Sequence, residues 1–479
     1  RMKKSAAPMG LTPLSVIKVK RNKERPHTAE EIEWFVHSFA ADGGISNNKQ
    51  QVRDYQMAAW LMAICLNGMT SEETAALTHA MVHSGVVLPS LASKHVTADK
   101  HSTGGVGDKI SLVLAPLVAS CGVWVPMMAG RGLEHTGGTI DKLESFKGMN
   151  TTFSVPEFHR LVQTVGCCIA SPSQDMCPAD RKMYALRDVT GTVVSLPLQT
   201  ASIMSKKIAE NPDSLVLDVK YGRAAFQPDL DAAIALAKSM IAAGEACGKT
   251  TTAFLTRMDH PLGNAVGNWI EVKECVDIMT DPERFMVANN QVLQLVLVQA
   301  AQMLVQSNVC PNLKDGISLA RSKLRDGSAL AKFREMVVAQ GGDPTYIDSP
   351  NDYPPASFSA KVVAKSSGIV VDINALVVGQ ASVWIGAGRR VSDEPVDAMA
   401  GIWMDVQVGS RVQTNQLVAT IYSERHDTLE HATQLVEQAI CILEPSNNND
   451  ETHDAAPPLI SHFVTKHGVE PFSMSILDE

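Results

Sequence analysis

At 479 residues, 45% of them hydrophobic, the chain is long enough for two or three domains and too apolar to be disordered. Its formal net charge of -9 at pH 7, from 42 basic and 51 acidic side chains, excludes a general attraction to nucleic acid or to anionic membranes. The nine cysteines form no Cys-x-x-Cys pair and no zinc-ligand spacing, so we expect reduced cysteines, no metal site and a cytoplasmic location.

Residues 1–90 predict a helical unit. The stretch AEEIEWFVHSFAADGG (29–44) has an acidic first turn, apolar residues at helical spacing and a terminal Gly-Gly, and residues 52–85 continue the pattern. The longest apolar run lies at 112–130, but its prolines and an internal glycine divide it into a short helix and a short strand. We interpret that run as the buried centre of an α/β unit and not as a membrane span.

From about residue 95 the pattern changes to strand, glycine loop and helix, which is typical of a mainly parallel sheet with helices on its faces. The first unit reads KHVTADKHS, GGVGD, KISLVLAPLVASCG, and the second reads VWVPMM, AGRGLEHTGG, TIDKLESF. Further strands are predicted at CCIAS, SLVLDVKYG and TTTAFLTRM. Two helical stretches interrupt this alternation between residues 178 and 210.

A third pattern begins after the polar, proline-containing stretch 341–355. The segments KVVAKSSGIVVDI, ASVWIGAGRRV and GSRVQTNQLVATIY are rich in valine and punctuated by glycine, which predicts strands, and DTLEHATQLVEQAICI predicts a helix. The fold class is therefore α/β (mixed α and β), in three parts. They are a helical domain (1–90 and 178–210), a mainly parallel-sheet α/β domain (91–177 and 211–345) and a carboxyl-terminal β-rich, barrel-sandwich-like α+β domain (355–479).

Residues 100–111, KHSTGGVGDKIS, place a glycine-rich loop between a predicted strand and a predicted helix. A Walker loop needs Gly-Lys followed by Ser or Thr, and a dinucleotide fingerprint needs a small residue where Ile110 stands, so neither ATP nor NAD is indicated. The unpaired N–H groups and the dipole of a helix start suit an anion. In strand geometry Lys100 and Ser102 face one side and His101 the other, which separates a phosphate from a second ligand.

Two further segments indicate the same kind of site. A second glycine loop, from Gly130 to Gly138, also opens a helix, and we expect the two loops side by side at the carboxyl edge of the sheet. The segment 184–207 supplies Arg187, Ser202 and Lys206, the last two sharing a helix face. By spacing alone, a solvated helix face remains the simpler interpretation of that segment.

Taken together, KHSTGGVGDKIS, GRGLEHTGGTIDKLES, PADRKMYALRD and SLPLQTASIMSKK resemble the motifs of the thymidine and pyrimidine nucleoside phosphorylase family, in order and over nearly the whole chain. The resemblance implies reversible phosphorolysis of a pyrimidine nucleoside by inorganic phosphate, with no metal or organic cofactor, in a homodimer. It implies four phosphate-binding residues: Lys100, Ser102, Ser111 and Thr139. It implies catalysis by His101, Arg187 and Lys206, and pyrimidine binding by Leu133, Tyr184, Arg187, Ser202, Ile203 and Lys206.

The chain departs from the family pattern in the second loop, which the family usually writes S-G-R-G-L-G-H. Here Ala129 lacks the serine hydroxyl expected to bond phosphate, and Glu134 adds a negative charge beside an anion site. Because every transferred catalytic side chain is present, we expect an active enzyme with weakened phosphate binding. Met127 resembles the thymidine-selective branch, whereas uridine-accepting relatives tend to carry a lysine there, so we expect thymidine and deoxyuridine to be preferred.

Several alternatives accompany this interpretation. A phosphoribosyltransferase of the anthranilate type shares the expected architecture but has no place for the cations and serine of 184–207. A family member with a signalling or scaffold role would result if the loop changes abolish phosphate binding, and a broader phosphorylase would also cleave uridine. The carboxyl-terminal pattern resembles lipoyl or biotinyl carrier domains, but no lysine lies between Lys365 and Lys466 to carry such a group.

Overall fold

A computed structural model of the protein describes residues 11–41, 51–91, 95–132, 134–390, 394–443 and 458–478. Its amino-terminal part is helical, as predicted. The helices are α1 (Pro13–Asn22), α2 (Ala29–Ala40), α3 (Asp54–Asn67) and α4 (Ser71–Val82). Three of them, α1, α2 and α4, begin after a threonine whose side chain accepts a backbone N–H of the first turn, and this capping box determines where each helix starts.

The middle of the chain alternates strands and helices. It begins with β1 (Ala98–Ser102), α5 (Ile110–Ser120), β2 (Val125–Met128), α6 (Thr139–Leu143), α7 (Val155–Val165) and β3 (Cys167–Ala170). The two predicted interrupting helices follow as α8 (Pro178–Thr190) and α9 (Leu196–Ala209). The alternation resumes with β4 (Ser214–Tyr221), α10 (Leu230–Ala246), β5 (Thr250–Arg257) and β6 (Ala265–Gly267). A helical run completes it: α11 (Trp269–Thr280), α12 (Pro282–Val287), α13 (Gln291–Gln306), α14 (Leu313–Arg325), α15 (Ser328–Ala339) and α16 (Thr345–Asp348).

The carboxyl-terminal part is rich in short strands. Its elements are β7 (Phe358–Val363), β8 (Gly368–Ile373), α17 (Ala375–Trp384), β9 (Gly401–Met404), β10 (Arg411–Val412), β11 (Leu417–Ser423), α18 (Leu429–Ala439), β12 (Ile440–Leu443), β13 (Ile460–Thr465) and β14 (Gly468–Pro471). Strands from β6 to β12 form two antiparallel sheets, with the orders β6-β9-β11-β7 and β10-β8-β12.

The central sheet has the order β1-β4-β5-β13-β14, and β1, β4 and β5 are parallel. β2 and β3 form a second parallel pair, and a bridge between Thr97 and Trp124 joins the start of β1 to the start of β2. The mixed α/β fold with a mainly parallel sheet is thereby confirmed. β13 and β14 lie antiparallel at the edge of this sheet, although they belong to the range 355–479 that we assigned to the carboxyl-terminal domain.

One predicted strand is wrong. The segment ASVWIGAGRRV begins inside helix α17, because Asn374 caps that helix by accepting the backbone N–H groups of Leu376 and Val377 at 3.1 and 3.4 Å. α17 also packs against α18, so helix packing outweighs the strand preference of its valines. By contrast, the helix predicted over KISLVLAPLVASCG is confirmed, since α5 runs from Ile110 to Ser120 and includes Pro116.

Helices α8 and α9 pack on the amino-terminal helices. One apolar cluster joins residues of α1 to α4, such as Phe35 and Trp60, to Met183 of α8 and Leu198 of α9. α9 also contacts α10, which packs on β4 and β5. Consequently α9 lies between the helical unit and the sheet. Within the described ranges, no helix is long and apolar enough to cross a bilayer.

Candidate active site

The first glycine loop lies where it was predicted, between the carboxyl end of β1 and the start of α5. Gly104 and Gly107 have φ angles of 92° and 75°, which glycine adopts with little strain. Thr103 ties the loop to β4, because its N–H donates to Asp218 O at 3.1 Å and its hydroxyl accepts from Lys220 N at 2.9 Å. The loop is thus held at the edge where α/β proteins bind ligands.

Lys100 ends in a buried ammonium that has no hydrogen-bond partner among the described residues. Its Nζ faces Asp218 Oδ2 at 3.8 Å, while Asp218 is itself engaged by Lys220 Nζ at 2.7 Å and by Thr256 Oγ1 at 2.5 Å. Burial lowers the pKa of Lys100, an effect that Asp108 and Asp218 oppose. An anionic ligand would satisfy these unpaired donors.

Ser102 and Asp108 close the first loop on itself. The Ser102 hydroxyl donates to Asp108 Oδ2 at 2.5 Å and accepts the N–H of Gly104 at 3.2 Å. Burial alone would raise the pKa of Asp108, but Lys100, Lys220 and the Ser102 hydroxyl outweigh it and hold that pKa well below its usual range. Asp108 therefore stays ionised and fixes the orientation of the Ser102 side chain.

Lys109 and Lys142, two lysines of the matched motifs, anchor the loops to the interior through hydrogen bonds and ion pairs, a role that the sequence analysis missed. Lys109 Nζ donates to the carbonyl oxygens of Leu262 and Ala265 at 2.9 and 2.8 Å and to Glu274 Oε2 at 2.7 Å. Lys142 Nζ donates to the carbonyl oxygen of Asp108 and pairs with Glu271 Oε2, both at 2.7 Å. Both ammonium groups are buried and face carboxylate and carbonyl oxygens of the interior. For Lys109 the sequence signal was a lysine at the start of an otherwise apolar helix.

The second loop folds tightly upon itself. A side chain at Gly138 would lie 2.1 Å from the Gly132 nitrogen, so this approach requires glycine. Glu134, which replaces a glycine of the family motif, has a φ angle of 53°, and its side chain is 75% exposed. Its charge therefore points largely to solvent, while Ala129 leaves the loop without a hydroxyl at its first position. Leu133, predicted to contact the base, lies outside the described residues.

Ser111 and Thr139 occupy the starts of the two helices that follow the loops. Ser111 lies in the first turn of α5, and Thr139 is the first residue of α6. Both hydroxyls are thus beside backbone N–H groups that have no partner within the helix. The loops themselves are neighbours, because a Cβ atom on Gly104 would lie 3.8 Å from Thr136. The four predicted phosphate ligands therefore lie on β1 and at the starts of the two helices that follow these neighbouring loops.

The loop geometry leads to a first prediction. Restoring the family residues with Ala129→Ser is expected to lower the KM for phosphate about tenfold, because one hydrogen bond to a charged group contributes roughly 1.5 to 3 kcal/mol. Glu134→Gly should change that KM less than about twofold, since an exposed charge is screened by solvent. Steady-state phosphate titrations of the two single variants measure both effects. A larger gain from Glu134→Gly than from Ala129→Ser would contradict this ranking.

Arg187 is buried at the end of α8 and holds the turn that leads into α9. Its guanidinium donates to three backbone carbonyl oxygens: Thr192 at 3.3 Å, Val193 at 2.8 Å and Leu198 at 3.1 Å. It also lies 5.6 Å from the centroid of the Tyr184 ring. Three of its five N–H groups thus donate to the turn and to the first turn of α9, and the other two take no part in these bonds.

Ser202 and Lys206 share a face of α9, as their spacing predicted. Lys206 Nζ donates to Ser202 Oγ at 3.2 Å and to Asp180 Oδ2 of α8 at 2.6 Å. Tyr184 and Ile203 lie half-buried on the same two helices, and burial raises the pKa of Tyr184. The two helices therefore present a hydroxyl, an ammonium, a phenol and an apolar side chain, which together can bind a flat ring with polar edges.

His101 is half-buried on β1 and surrounded by cations. Burial lowers its pKa, and the positive charges of Lys207, Lys100 and Lys206 lower it further, to well below the ordinary value of 6.5. At neutral pH the imidazole is therefore neutral and offers one N–H donor. A neutral hydrogen-bond donor therefore fits this environment, and a preformed imidazolium does not.

Solved structures share the fold. The chain resembles anthranilate phosphoribosyltransferase from Thermus thermophilus, with a TM-score of 0.53, 18% identity, and coverage of 68% of this chain and 99% of that one. It resembles the enzyme of the same name from Saccharomyces cerevisiae with a TM-score of 0.52, 13% identity, and coverage of 68% and 97%. At these identities the likeness shows a shared fold alone. It confirms that the phosphoribosyltransferase alternative considered from the sequence has a similar architecture, and it does not bear on the reaction.

Family models and relatives define the group more closely. The helical bundle domain of the glycosyl transferase family matches residues 14–85, its a/b domain matches 94–330, and the pyrimidine nucleoside phosphorylase C-terminal domain matches 369–443. The pyrimidine-nucleoside phosphorylase of Geobacillus stearothermophilus is 43% identical over 412 residues, which are 86% of this chain and 92% of that protein. That of Staphylococcus haemolyticus is 40% identical over 449 residues, 93% of this chain and 98% of that protein. The two glycine loops and the α8–α9 face thus belong to a chain of the pyrimidine-nucleoside phosphorylase family.

Proposed function

We propose that this protein is a thymidine phosphorylase, which converts thymidine or deoxyuridine and inorganic phosphate reversibly into the free base and 2-deoxy-α-D-ribose 1-phosphate. The observation that carries the proposal is the unpaired, buried ammonium of Lys100 on one face of β1, with His101 projecting from the other face. A phosphate and a nucleoside can thus approach the same strand from two sides. The reaction belongs to pyrimidine nucleoside catabolism and salvage.

In the proposed mechanism, Lys100, Ser102, Ser111 and Thr139 hold the phosphate, and one phosphate oxygen attacks the anomeric carbon of the sugar. The carbon–nitrogen bond to the base breaks, and its electron pair leaves with the base, which overall takes up the proton that the attacking hydrogen phosphate loses. Negative charge then develops on the ring nitrogen and carbonyl oxygens. A neutral N–H of His101, the remaining guanidinium N–H groups of Arg187 and the ammonium of Lys206 would stabilise that charge most strongly in the transition state.

The remaining residues that are proposed to contact the pyrimidine would orient its ring. The Ser202 hydroxyl lies 3.2 Å from Lys206 Nζ, so the two can bind adjacent polar atoms of one pyrimidine edge. Tyr184 and Ile203, with Leu133, would supply the apolar contact to the ring faces. The reaction as proposed requires no metal and no organic cofactor, because phosphate itself is the nucleophile.

The preference for deoxynucleosides rests on Met127. This residue lies in β2, immediately upstream of the second loop, and its side chain is buried in the main apolar cluster. Selectivity at this position would come from the absence of a hydrogen-bond donor for a sugar 2′-hydroxyl, not from a contact of the thioether. A broader pyrimidine nucleoside phosphorylase that also accepts uridine is the second candidate, which the names of the relatives favour.

A substitution at this position separates the two candidates. Met127→Lys is expected to raise the ratio of kcat/KM for uridine to that for thymidine by up to about tenfold, because a donor to the 2′-hydroxyl contributes roughly 0.5 to 1.5 kcal/mol. Met127→Leu, which stays apolar, should leave the ratio unchanged. The ratio is measured by ultraviolet absorbance with both nucleosides. Equal ratios in all three proteins would remove Met127 as a specificity determinant.

The decisive experiment is base release from the purified protein. Thymidine and uridine are each incubated with and without inorganic phosphate, and release of the free base is followed by absorbance. Release of thymine that requires phosphate supports phosphorolysis, and cleavage of uridine at the same efficiency would favour the broader enzyme. If no base is released at saturating phosphate, the signalling or scaffold alternative replaces the proposal.

We also propose a cytoplasmic homodimer that binds neither nucleic acid nor membranes. Support for self-association comes from large apolar side chains exposed on the adjacent helices α1 and α3: Leu14 is 57% exposed, Tyr55 73% and Leu66 74%. Large apolar side chains exposed on adjacent helices favour an interface between protein chains. Sedimentation velocity tests this, and a monomer at micromolar concentration would contradict it.

A further inference from the structure

A single buried ammonium, that of Lys207, connects three elements of the candidate site. Lys207 lies on α9, and its Nζ donates to Asp99 Oδ2 of β1 at 2.7 Å and to the carbonyl oxygen of Met128, the last residue of β2, at 2.6 Å. Glu210 completes the contacts at 3.1 Å. The Lys207 side chain is 4% exposed and those of both carboxyl groups are 0% exposed. This lysine therefore links three elements in the interior. It is the last residue of the motif SLPLQTASIMSKK, but neither the sequence analysis nor the proposed chemistry gives it a role.

The partners of Lys207 are adjacent to the residues that are proposed to act. Asp99 directly precedes Lys100 and lies two residues before His101, and Met128 directly precedes Ala129 at the start of the second loop. On α9, Lys206 is the neighbour of Lys207 and faces Ser202 and Asp180. One ammonium thus connects the strand residues just before both phosphate loops with α9, the helix that carries the pyrimidine-binding face.

The charges in this cluster balance when Glu210 keeps its proton. Burial raises the pKa of Glu210 well above its usual range, Lys207 opposes that rise and Asp99 adds to it. Asp99 Oδ1 and Glu210 Oε1 have no hydrogen-bond partner in the described structure, and a protonated Glu210 would be able to donate to Asp99. Lys207 and Asp99 then form one buried pair of opposite charges. Such a pair is strong only while its geometry is kept, so it resists relative movement of α9 and β1.

We propose that Lys207 is a positioning residue whose ammonium sets the spacing between the two phosphate loops and the base-binding face of α9. In the proposed mechanism phosphate binds on the loop side of the site, whereas most base contacts lie on the helix side, on α8 and α9. Neither half needs Lys207 in order to bind its own ligand. The attack of phosphate on the anomeric carbon, however, depends on the distance between the two halves, and a misplacement of about 1 Å can lower a rate roughly 100-fold. The inference rests on the proposed phosphorolysis.

The test uses the double substitution Asp99→Asn with Lys207→Met, which removes both charges of the pair and leaves no buried charge unbalanced. Calorimetric titrations with inorganic phosphate and with thymine give the affinity of each half-site and the number of competent sites. We expect both dissociation constants to stay within about threefold of the native values, while kcat per competent site falls about 10- to 100-fold. This split between binding and turnover is what a merely structural role would not produce.

A matched control is offered by Lys20 and Glu73, whose side chains are 7% and 2% exposed and pair at 2.6 Å within the helical unit. Like Lys207, Lys20 also donates to a backbone carbonyl, that of Gly68 at 3.3 Å. Lys20→Met with Glu73→Gln should lower the melting temperature by a similar amount and leave kcat per site unchanged.

Two results would overturn the positioning role. One is a kcat per site within twofold of the native value in the Asp99→Asn, Lys207→Met protein, and the other is a loss of phosphate affinity in parallel with the rate. A failure of the proposed function is distinguishable from either, because the native protein itself would then release no base from any pyrimidine nucleoside in the presence of phosphate.

Discussion

Lys100→Met is expected to lower kcat/KM for phosphate about 100- to 1,000-fold and to change folding stability little. The ammonium is buried and has no hydrogen-bond partner in the described structure, so its main available partner is a bound anion. Removing one member of a buried, hydrogen-bonded charge pair typically costs about 3 to 4 kcal/mol, which corresponds to that loss of affinity. Methionine keeps the apolar part of the side chain. The substitution also removes the cost of burying a charge, which offsets the lost attraction to Asp218, so folding stability changes little.

Three measurements check this prediction: phosphate kinetics, the melting temperature, and the rise in melting temperature that phosphate produces. We expect phosphate to stabilise the native protein and to have no effect on Lys100→Met. The neighbouring lysine on β4 provides the contrast, because Lys220 Nζ is paired with Asp218 at 2.7 Å. Lys220→Met should therefore destabilise the fold more than Lys100→Met does. A Lys100→Met protein that still binds phosphate with native affinity would show that the loop amides alone form the anion site.

The parts of the site that could be predicted from the sequence are those determined by local geometry. Lys100, Ser102 and His101 are consecutive on one strand, so their alternation follows from strand geometry. Ser202 and Lys206 are one helical turn apart, and their side chains are in hydrogen-bond contact at 3.2 Å, as the spacing indicated. The glycine loops could likewise be placed between strand and helix, since glycine patterns mark such turns.

What the sequence could not predict depends on contacts between distant residues. Lys109 resembles a ligand of the first loop, yet its partners Leu262, Ala265 and Glu274 lie more than 150 residues away. The depressed pKa of His101 has partly the same origin. Burial lowers it most, and the charges of Lys207 and of the neighbouring Lys100 lower it further, as does Lys206; α9 brings Lys207 and Lys206 back to β1. Helix α17 was missed for a related reason, since packing against α18 outweighs its local strand preference.

His101 should act as a neutral donor, and its substitutions can show this. His101→Ala is expected to lower kcat about 100- to 1,000-fold, the usual effect of removing one preorganised donor from a developing negative charge. His101→Gln, which retains an N–H donor of similar reach, should recover at least about a tenth of the native rate. Initial rates at saturating thymidine and phosphate measure both. A Gln variant as slow as the Ala variant would instead favour an imidazole that transfers a proton.

The titration of His101 gives an independent check of its charge. Because its pKa is lowered in the folded protein, the unfolded chain binds an additional proton once the pH falls below the ordinary value of 6.5. This residue therefore makes folding less favourable as the pH is lowered from 7.5 to 5.5, and His101→Gln should reduce that loss of stability.

An NMR titration follows the charge of His101 directly. Its imidazole signal is identified as the one that is missing from the spectrum of the His101→Gln protein. In the free protein this signal should stay at its neutral position down to about pH 6. Bound phosphate, being an anion on the same strand, should raise the midpoint of that titration. A signal that titrates near pH 6.5 without phosphate would show that the cations around His101 do not control its charge, and the imidazolium would then be the form that meets the departing base.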